Sequence, residues 1–121
     1  MLSVVIPVYN EQDNVRILHK ELTDVFSRLG KDYEIIFVDD SSWDKTFQNL
    51  DSINDDHLKI IKLRNNFGQS AALDAGIKAA KGDLIVTMDG DLQNDPKDIP
   101  RLLKKLDDGL DVVCGWRYKR K

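Results

Sequence analysis

The chain has 121 residues, a length typical of one domain. Hydrophobic residues make up 41% and charged residues 32%, a balance that argues against both intrinsic disorder and a chain built of membrane spans. The 18 basic and 21 acidic residues leave a formal net charge of −3, which argues against a nucleic-acid partner. The single cysteine, Cys114, excludes an internal disulfide and a cysteine-based zinc cluster. Composition therefore predicts a single soluble, cytosolic domain.

The first third of the chain alternates a buried strand with an amphipathic helix. Residues 2–8 form an apolar run rich in β-branched side chains, which predicts a strand buried on both faces. Between residues 13 and 29, apolar side chains recur every three or four positions, which predicts a helix that Gly30 ends as a C-terminal cap. Residues 34–38 predict a second buried strand.

The same alternation continues through the middle of the chain. A short helix is predicted around Phe47 and Leu50, followed by a more polar strand at residues 59–63 that we expect near an edge of the sheet. Residues 70–80 are rich in alanine and predict a helix packed closely on the sheet. Residues 84–88 predict a fourth buried strand.

The last third predicts one more helix and one more strand. Pro96 suits the first position of a helix that runs to about residue 106, with Asp95 as its capping acceptor. Residues 111–114 predict a fifth strand, and residues 119–121 read as a solvated basic tail. The alternating order predicts an α/β domain with a mainly parallel sheet and right-handed crossovers.

Such a fold directs attention to the loops that follow the strands. In open parallel sheets, ligands bind beyond the carboxyl ends of the strands, where the strand order reverses. The loops concerned comprise residues 9–13, 39–44, 64–69, 89–95 and the segment from 115 onward. The unusual residues of the chain are concentrated in these loops.

The strongest signal is Asp89-Gly90-Asp91, directly after the fourth predicted strand. In an extended segment Asp89, Asp91 and Gln93 would lie on the same side, and Gly90 would allow a ligand to approach the backbone. Carboxylate and amide oxygens suit Mg²⁺ or Mn²⁺. The competing interpretation is an acidic turn that caps the following helix.

Two further loops allow both a binding and a structural interpretation. Asp40, after the second strand, suits a contact to a base or ribose, whereas Asp44 suits a helix cap. In the loop after the third strand, Ser70 would cap the alanine-rich helix, and Arg64 would add a positive charge for an anion at its N-terminus. A capped loop without a ligand explains that second pattern equally well.

The first and last of these loops complete the set. Pro7, Tyr9 and Glu11 would wall a nucleobase pocket, or else form a plain strand-to-helix turn in which Asn10 caps the helix. Arg117 is suited to bidentate contact with a phosphate. His19 has no second histidine or cysteine near it in sequence, which argues against a metal site there.

Taken together, these loops resemble the family 2 glycosyltransferases of the GT-A fold. The likeness is greatest to the polyprenyl-phosphate glycosyltransferase branch, which includes dolichyl-phosphate mannose synthase. The matching segments are residues 4–11, 38–40, 64–69, 82–96 and Gly115-Trp116-Arg117. The run from Asp89 to Pro96, which contains Leu92-Gln93, is specific to this branch.

The resemblance implies a Rossmann-like three-layer α-β-α sandwich and a role for each matching residue. It implies binding of a nucleoside diphosphate sugar by Pro7, Tyr9, Asn10, Glu11, Val38, Asp40, Asp89 and Gly90. It places Mg²⁺ or Mn²⁺ on Asp91 and Gln93, in a DXD motif. Asp89, Asp91 and Arg117 would be the catalytic residues, with Arg117 meeting a donor or acceptor phosphate.

The implied reaction is metal-dependent, inverting transfer of a sugar from a UDP- or GDP-linked donor to a polyprenyl or dolichyl phosphate. Members of this branch continue beyond the Gly-x-Arg segment, so we expect residues 1–121 to be the nucleotide-sugar-binding portion of a longer enzyme at the cytoplasmic face of a membrane. The alternative is a nucleotide-binding module without complete activity. Self-association is left open. One departure is Ser41, where the family usually has glycine.

Overall fold

The computed structural model of the chain describes residues 1–88 and the backbone of residues 117–120. Its elements, in chain order, are β1 (Leu2–Val8), α1 (Val15–Phe26), β2 (Tyr33–Asp39), α2 (Thr46–Asp51), β3 (Leu58–Lys62), α3 (Gln69–Ala79), β4 (Leu84–Thr87) and β5 (Arg117–Arg120). All strands and helices predicted before residue 89 are confirmed, with small shifts at their ends. The helix predicted from Pro96 and the strand predicted at residues 111–114 lie outside the described residues.

The strands form one sheet in the order β3-β2-β1-β4-β5. The first four strands are parallel, and β5 pairs antiparallel with β4. The predicted α/β class with a mainly parallel sheet is confirmed, as is the position of β3 at an edge. The chain passes from β3 on one side of β1 to β4 on the other, so the strand order reverses between β1 and β4.

The interpretation of residues 119–121 as a solvated tail is wrong for Lys119 and Arg120. Both belong to β5, where Lys119 is in register with Ile85 and Arg120 with Leu84. Arg117, expected in a loop, opens the same strand opposite Thr87. A strand edge has unpaired backbone groups, and a short basic strand is a common way to protect it. β5 was not predicted from the sequence because its basic residues give no apolar pattern.

The sheet has a hydrophobic core on each face, which confirms the three-layer arrangement. Alternate side chains of β1, such as Val4 and Ile6, join Leu18 and Leu50 of α1 and α2 on one face. Val5 packs on the other face, among residues of β2 and α3. Among the described residues, no helix is long and apolar enough to cross a membrane.

The first helix buries the stripe that the sequence predicts but ends earlier than expected. Val15, Leu18, Leu22 and Phe26 are its buried residues. The helix ends at Phe26, so the prediction that Gly30 is its C-terminal cap is wrong. Residues 27–30 form a turn instead, in which Gly30 has φ +68°. The apolar periodicity runs past the helix because Leu29 still packs against the core from this turn.

The third helix approaches the sheet closely, as its alanine-rich sequence predicts. Gly76 is buried in α3 and faces β1 and β2. A Cβ atom built on it would lie 2.3 Å from Cγ1 of Val5 and 3.0 Å from Cγ2 of Val38. Both contacts are shorter than van der Waals distance, so glycine is needed here for space.

Substitution of Gly76 by alanine is expected to lower the free energy of unfolding by about 1–3 kcal/mol, the usual cost of overpacking a core. The loss should occur although alanine is the better helix former by about 1 kcal/mol. Urea unfolding of the variant measures it. In a Val5→Ala background, which removes the nearer of the two clashing methyl groups, the same substitution should cost markedly less. Equal costs in both backgrounds would contradict this account of the contact.

At the amino ends of the strands, the buried side chain of Glu34 joins several elements. Its Oε2 accepts hydrogen bonds from Ser3 Oγ at 2.6 Å and from the backbone N–H of Lys81 at 2.6 Å. Its Oε1 lies 2.7 Å from Nζ of Lys59. Ser3 Oγ in turn accepts from the N–H of Gly82 at 2.8 Å. One carboxylate therefore links β1, β2, β3 and the turn before β4.

These contacts make folding dependent on the ionisation of Glu34. Burial raises its pKa, but the hydrogen bonds from Lys59, Ser3 and Lys81, with the charge of Lys59, outweigh burial and lower the pKa from 4.5 to about 2. The ionised form is thus favoured in the folded state. The resulting stabilisation is fully present above pH 4.5 and is lost as pH falls from there through about 2.

The free energy of unfolding of the wild type should therefore exceed that of Glu34→Gln by roughly 2 kcal/mol less at pH 3 than at pH 6. The variant keeps the shape of the side chain and lacks the titration. Urea unfolding of both proteins at several pH values in this range gives the difference directly. A gap that stays constant or widens on acidification would refute the proposed role of the charge.

Candidate active site

The loops after β1, β2 and β3 meet at the carboxyl edge of the sheet. We call them the first loop (residues 9–14), the second loop (residues 40–45) and the third loop (residues 63–68). The first loop follows the central strand, beside the reversal of strand order, and the second follows its neighbour β2. This is the position at which open α/β sheets bind ligands.

Asn10 ties the first loop to the second. Its backbone N–H donates to Ser42 Oγ at 2.8 Å, and its side-chain Oδ1 accepts from the N–H of Trp43 at 3.1 Å. Asn10 has φ +53°, a left-handed conformation that asparagine tolerates better than most residues. The interpretation of Asn10 as a helix cap is wrong, since its side chain bonds to the second loop.

The second loop also has a residue in the left-handed region. Ser41 has φ +61°. The family glycine that this serine replaces would adopt this conformation freely, whereas a residue with a Cβ atom pays a steric penalty there. The chain therefore keeps the tight turn in spite of the substitution, and the surrounding hydrogen bonds must hold it.

Asp44 has the structural role that the sequence predicts. Its Oδ1 accepts from the N–H of Thr46 at 2.9 Å and from the hydroxyl of the same residue, at the start of α2. Thr46 Oγ1 accepts from the N–H of Glu11 at 2.8 Å, and Asp44 Oδ2 from Gln12 N–H at 3.4 Å. The start of α2 is thereby fixed to the first loop as well.

Asp40 fixes the third loop. Its Oδ1 accepts from the N–H of Phe67 at 2.8 Å, and its Oδ2 accepts from the N–H of Gly68 at 2.9 Å. Gly68 precedes α3 and has φ +96°. Ser70 lies inside the helix, so its prediction as the cap is wrong, and Gly68 is the N-cap residue. Asp40 is 4% exposed, which leaves it little surface for a ligand.

The remaining predicted binding residues differ in their exposure. Tyr9 is 42% exposed and Glu11 is half-buried, so both are accessible at the carboxyl edge. Pro7 is buried within β1, and Val38 is buried in the core beneath α3. Arg64, in the third loop, is exposed.

The predicted metal site cannot be traced in the same way. Asp89, Gly90, Asp91 and Gln93 lie outside the described residues, and of Arg117 only the backbone is described. Within residues 1–88, no group of three or more histidine, cysteine, aspartate or glutamate side chains could hold a metal ion. Just before Asp89, and one residue beyond the end of β4, the N–H of Met88 donates to Val5 O of β1 at 3.1 Å.

Large aromatic side chains are exposed at this same edge. Trp43 is 81% exposed and Phe67 is 62% exposed, in the second and third loops. Trp43 was not a predicted site residue. Its position in a loop rich in serine and aspartate was the only signal that could have marked it.

The two histidines come together elsewhere in the fold, which the sequence did not predict. Asp55 Oδ2 lies 2.7 Å from Nε2 of His19, and Asp55 Oδ1 lies 3.1 Å from Nδ1 of His57. Burial raises the pKa of Asp55, but hydrogen bonds from the His57 backbone and both imidazoles outweigh it, so its pKa is below the ordinary value. This cluster joins α1 to the segment before β3, remote from the carboxyl edge.

Comparison with known proteins agrees with this geometry. The chain matches the family described as Glycosyl transferase family 2 over residues 3–121. It therefore belongs to glycosyl transferase family 2, as its loops predict.

A curated relative supports the predicted branch. The chain is 47% identical to an undecaprenyl-phosphate 4-deoxy-4-formamido-L-arabinose transferase from Enterobacter sp. (strain 638), over 98% of this chain and 37% of that protein. The resemblance to polyprenyl-phosphate glycosyltransferases is thus confirmed. The chain spans little more than a third of this relative's length.

Solved structures show the same fold. A mannosyltransferase from Pyrobaculum calidifontis in complex with GDP-Man and Mn²⁺ has a TM-score of 0.69 at 23% identity, over 89% of this chain and 32% of that one. Glucosyl-3-phosphoglycerate synthase from Mycobacterium tuberculosis, in complex with Mn²⁺, UDP and phosphoglyceric acid, has a TM-score of 0.70 at 23% identity, over 88% of this chain and 38% of that one. The predicted GT-A fold is confirmed.

Proposed function

We propose that this chain is the donor-binding part of a glycosyltransferase that moves a sugar from a nucleoside diphosphate to a polyprenyl phosphate. The observation that carries the proposal is its 47% identity to an undecaprenyl-phosphate sugar transferase over nearly the whole chain. The joined loops at the carboxyl edge provide the place for the donor, since they flank the reversal of strand order.

The nucleoside would bind at the first and second loops. Tyr9 offers an exposed ring for contact with the base, and Glu11 offers a half-buried carboxylate. Asp40 would accept one hydrogen bond from the base or ribose at the small part of its carboxylate that is exposed, because its bonds to the third loop leave lone pairs free. Structural neighbours bound to GDP-Man and to UDP support a nucleoside diphosphate sugar, with UDP and GDP as the candidate leaving groups.

The residues after β4 have the chemistry of a divalent metal site. Asp89 and Asp91 supply carboxylates and Gln93 supplies an amide oxygen, all oxygen ligands of the kind that Mg²⁺ and Mn²⁺ prefer. Two structural neighbours are complexes with both Mn²⁺ and a nucleotide or nucleotide sugar. A bound metal ion would neutralise negative charge that develops on the departing nucleoside diphosphate.

The acceptor step follows from the chemistry of a lipid phosphate. A phosphate oxygen would attack the anomeric carbon as the bond to the nucleoside diphosphate breaks, which inverts the configuration. This nucleophile is already anionic near neutral pH, so the protein need not supply a strong base. Arg117 would contact one of the phosphates. A lipid acceptor places the reaction at a membrane, and we propose its cytoplasmic face.

A second candidate is a nucleotide-binding module that does not complete the transfer. It is favoured by the share of the relative that the chain covers, 37%. The two candidates share the donor site and differ only in turnover.

Calorimetry with UDP and GDP, each with and without Mn²⁺, tests the donor site. A parallel assay for transfer to a polyprenyl phosphate separates the candidates. Metal-dependent binding with transfer supports the enzyme, and binding without transfer supports the module. Absence of binding to either nucleotide in the presence of Mn²⁺ would refute both.

A further inference from the structure

The carboxylate of Asp39, at the end of β2, is fully buried and bonds to the second loop. Its Oδ1 accepts from the N–H of Ser42 at 3.1 Å and from the Ser42 hydroxyl. Its Oδ2 is buried and accepts no hydrogen bond from any described residue. Among the residues that the structure describes, the hydrogen bonds of this carboxylate therefore come from one neighbour, Ser42.

This arrangement is costly for stability. A buried carboxylate oxygen without a partner loses its hydration, and burying charge is unfavourable unless the charge is well paired. A neutral side chain with one acceptor would hold Ser42 at lower cost. A buried polar atom without a hydrogen-bond partner is uncommon in folded proteins and calls for a specific explanation. Unfavourable local arrangements of this kind are concentrated at functional sites.

The bonds of Ser42 show what the carboxylate controls. The Ser42 hydroxyl gives its only proton to Asp39, so its oxygen is oriented to accept from the N–H of Asn10 at 2.8 Å. Asn10 in turn holds the N–H of Trp43. The chain of bonds thus fixes the left-handed Asn10 and spans Ser41, the left-handed residue of the second loop.

We propose that Asp39 is a positioning residue for donor binding, acting through Ser42 and Asn10. It holds the first and second loops in one relative arrangement, with Tyr9 and Asp40 on either side of the connection. The inference rests on the proposed function, because the positioned loops are those assigned to the nucleoside. Asp39 itself does not contact the donor.

Affinities of Asp39 and Ser42 variants for UDP and GDP with Mn²⁺ test this role, measured well below each variant's melting temperature. Asp39→Ala and Ser42→Ala should each weaken binding at least about tenfold, the equivalent of one charge-assisted hydrogen bond. The double variant should bind no more weakly than the poorer single variant, since both substitutions break one connection. Asp39→Asn, which keeps an acceptor for Ser42, should retain most of the affinity.

Ser52→Ala is the matched control, because it removes an exposed hydroxyl that bonds to Arg16 away from the carboxyl edge. Its affinity should equal that of wild type. Unchanged affinity in Ser42→Ala would overturn the positioning role, even if Asp39→Ala failed to fold. An equal loss in Asp39→Asn and Asp39→Ala would overturn it in favour of direct contact by the charge. A wild-type protein that binds neither nucleotide would instead refute the proposed function.

Discussion

Replacement of Glu34 by alanine is expected to lower the free energy of unfolding by about 3–5 kcal/mol, because it removes an ion pair whose carboxylate is buried and leaves two hydrogen-bond donors without their acceptor. The variant leaves the N–H of Lys81 and the hydroxyl of Ser3 without their shared acceptor. It also removes the partner of Lys59, which is partly exposed and recovers some hydration. Urea unfolding at pH 7 measures the loss.

The exposed ion pair between Asp74 and Lys78 provides the control for Glu34. Its Nζ–Oδ2 distance of 2.9 Å is close to the 2.7 Å of the Glu34–Lys59 pair, but both its side chains are largely exposed. Asp74→Ala should therefore cost no more than about 0.5 kcal/mol. Similar losses in the two variants would show that burial and the shared hydrogen bonds add nothing to the contribution of Glu34.

The sequence was sufficient to predict the elements because their apolar patterns are strong. The run from Leu2 to Val8 is buried at every position, as expected for a central parallel strand. The stripe that includes Leu18 and Leu22 identifies the inner face of α1. These signals are local, so one stretch of sequence contains all the information. β5 escaped prediction because its residues carry charge instead of an apolar pattern.

The sequence predicted where the candidate site lies in the fold, but it did not predict the hydrogen bonds that join its loops. Strand ends could be read from the sequence, and with them the loops that meet at the carboxyl edge. The bonds between those loops could not, because they join residues about 30 positions apart, such as Asn10 to Ser42 and Asp40 to Gly68. Their formation depends on strand order and register, which local patterns do not determine.

The neighbouring residues Asp39 and Asp40 illustrate this limit. Both are buried aspartates at the end of one strand, and the sequence predicted a ligand contact for Asp40 and no role for Asp39. In the fold, successive positions face opposite sides of the sheet. Asp39 consequently bonds within the second loop, whereas Asp40 reaches the third loop. The likeness to a known family identified Asp40 as a binding residue but did not indicate Asp39.

Substitution of Asp91 by asparagine is expected to lower the Mn²⁺-dependent affinity for UDP or GDP by at least about 100-fold, more than the loss of a group that merely supports a metal ligand. Asparagine keeps the size of the side chain but removes the charge that a hard divalent cation prefers. Affinity without metal should stay at the wild-type level. Calorimetry in Mn²⁺ and in a chelator gives both values.

Asp95→Asn is the matched control for Asp91→Asn, since it makes the same chemical change four positions further along the chain. Asp95 is assigned by sequence to capping the next helix, a role that asparagine fills equally well. This variant should retain metal-dependent binding, and both variants should keep the wild-type melting temperature without nucleotide. Survival of Mn²⁺-dependent affinity in Asp91→Asn would show that the metal is held elsewhere. An equal loss in Asp95→Asn would show that the acidic segment acts through its total charge. If Asp91 alone held the metal, substitution of Asp95 would leave that ligand in place and the affinity unchanged.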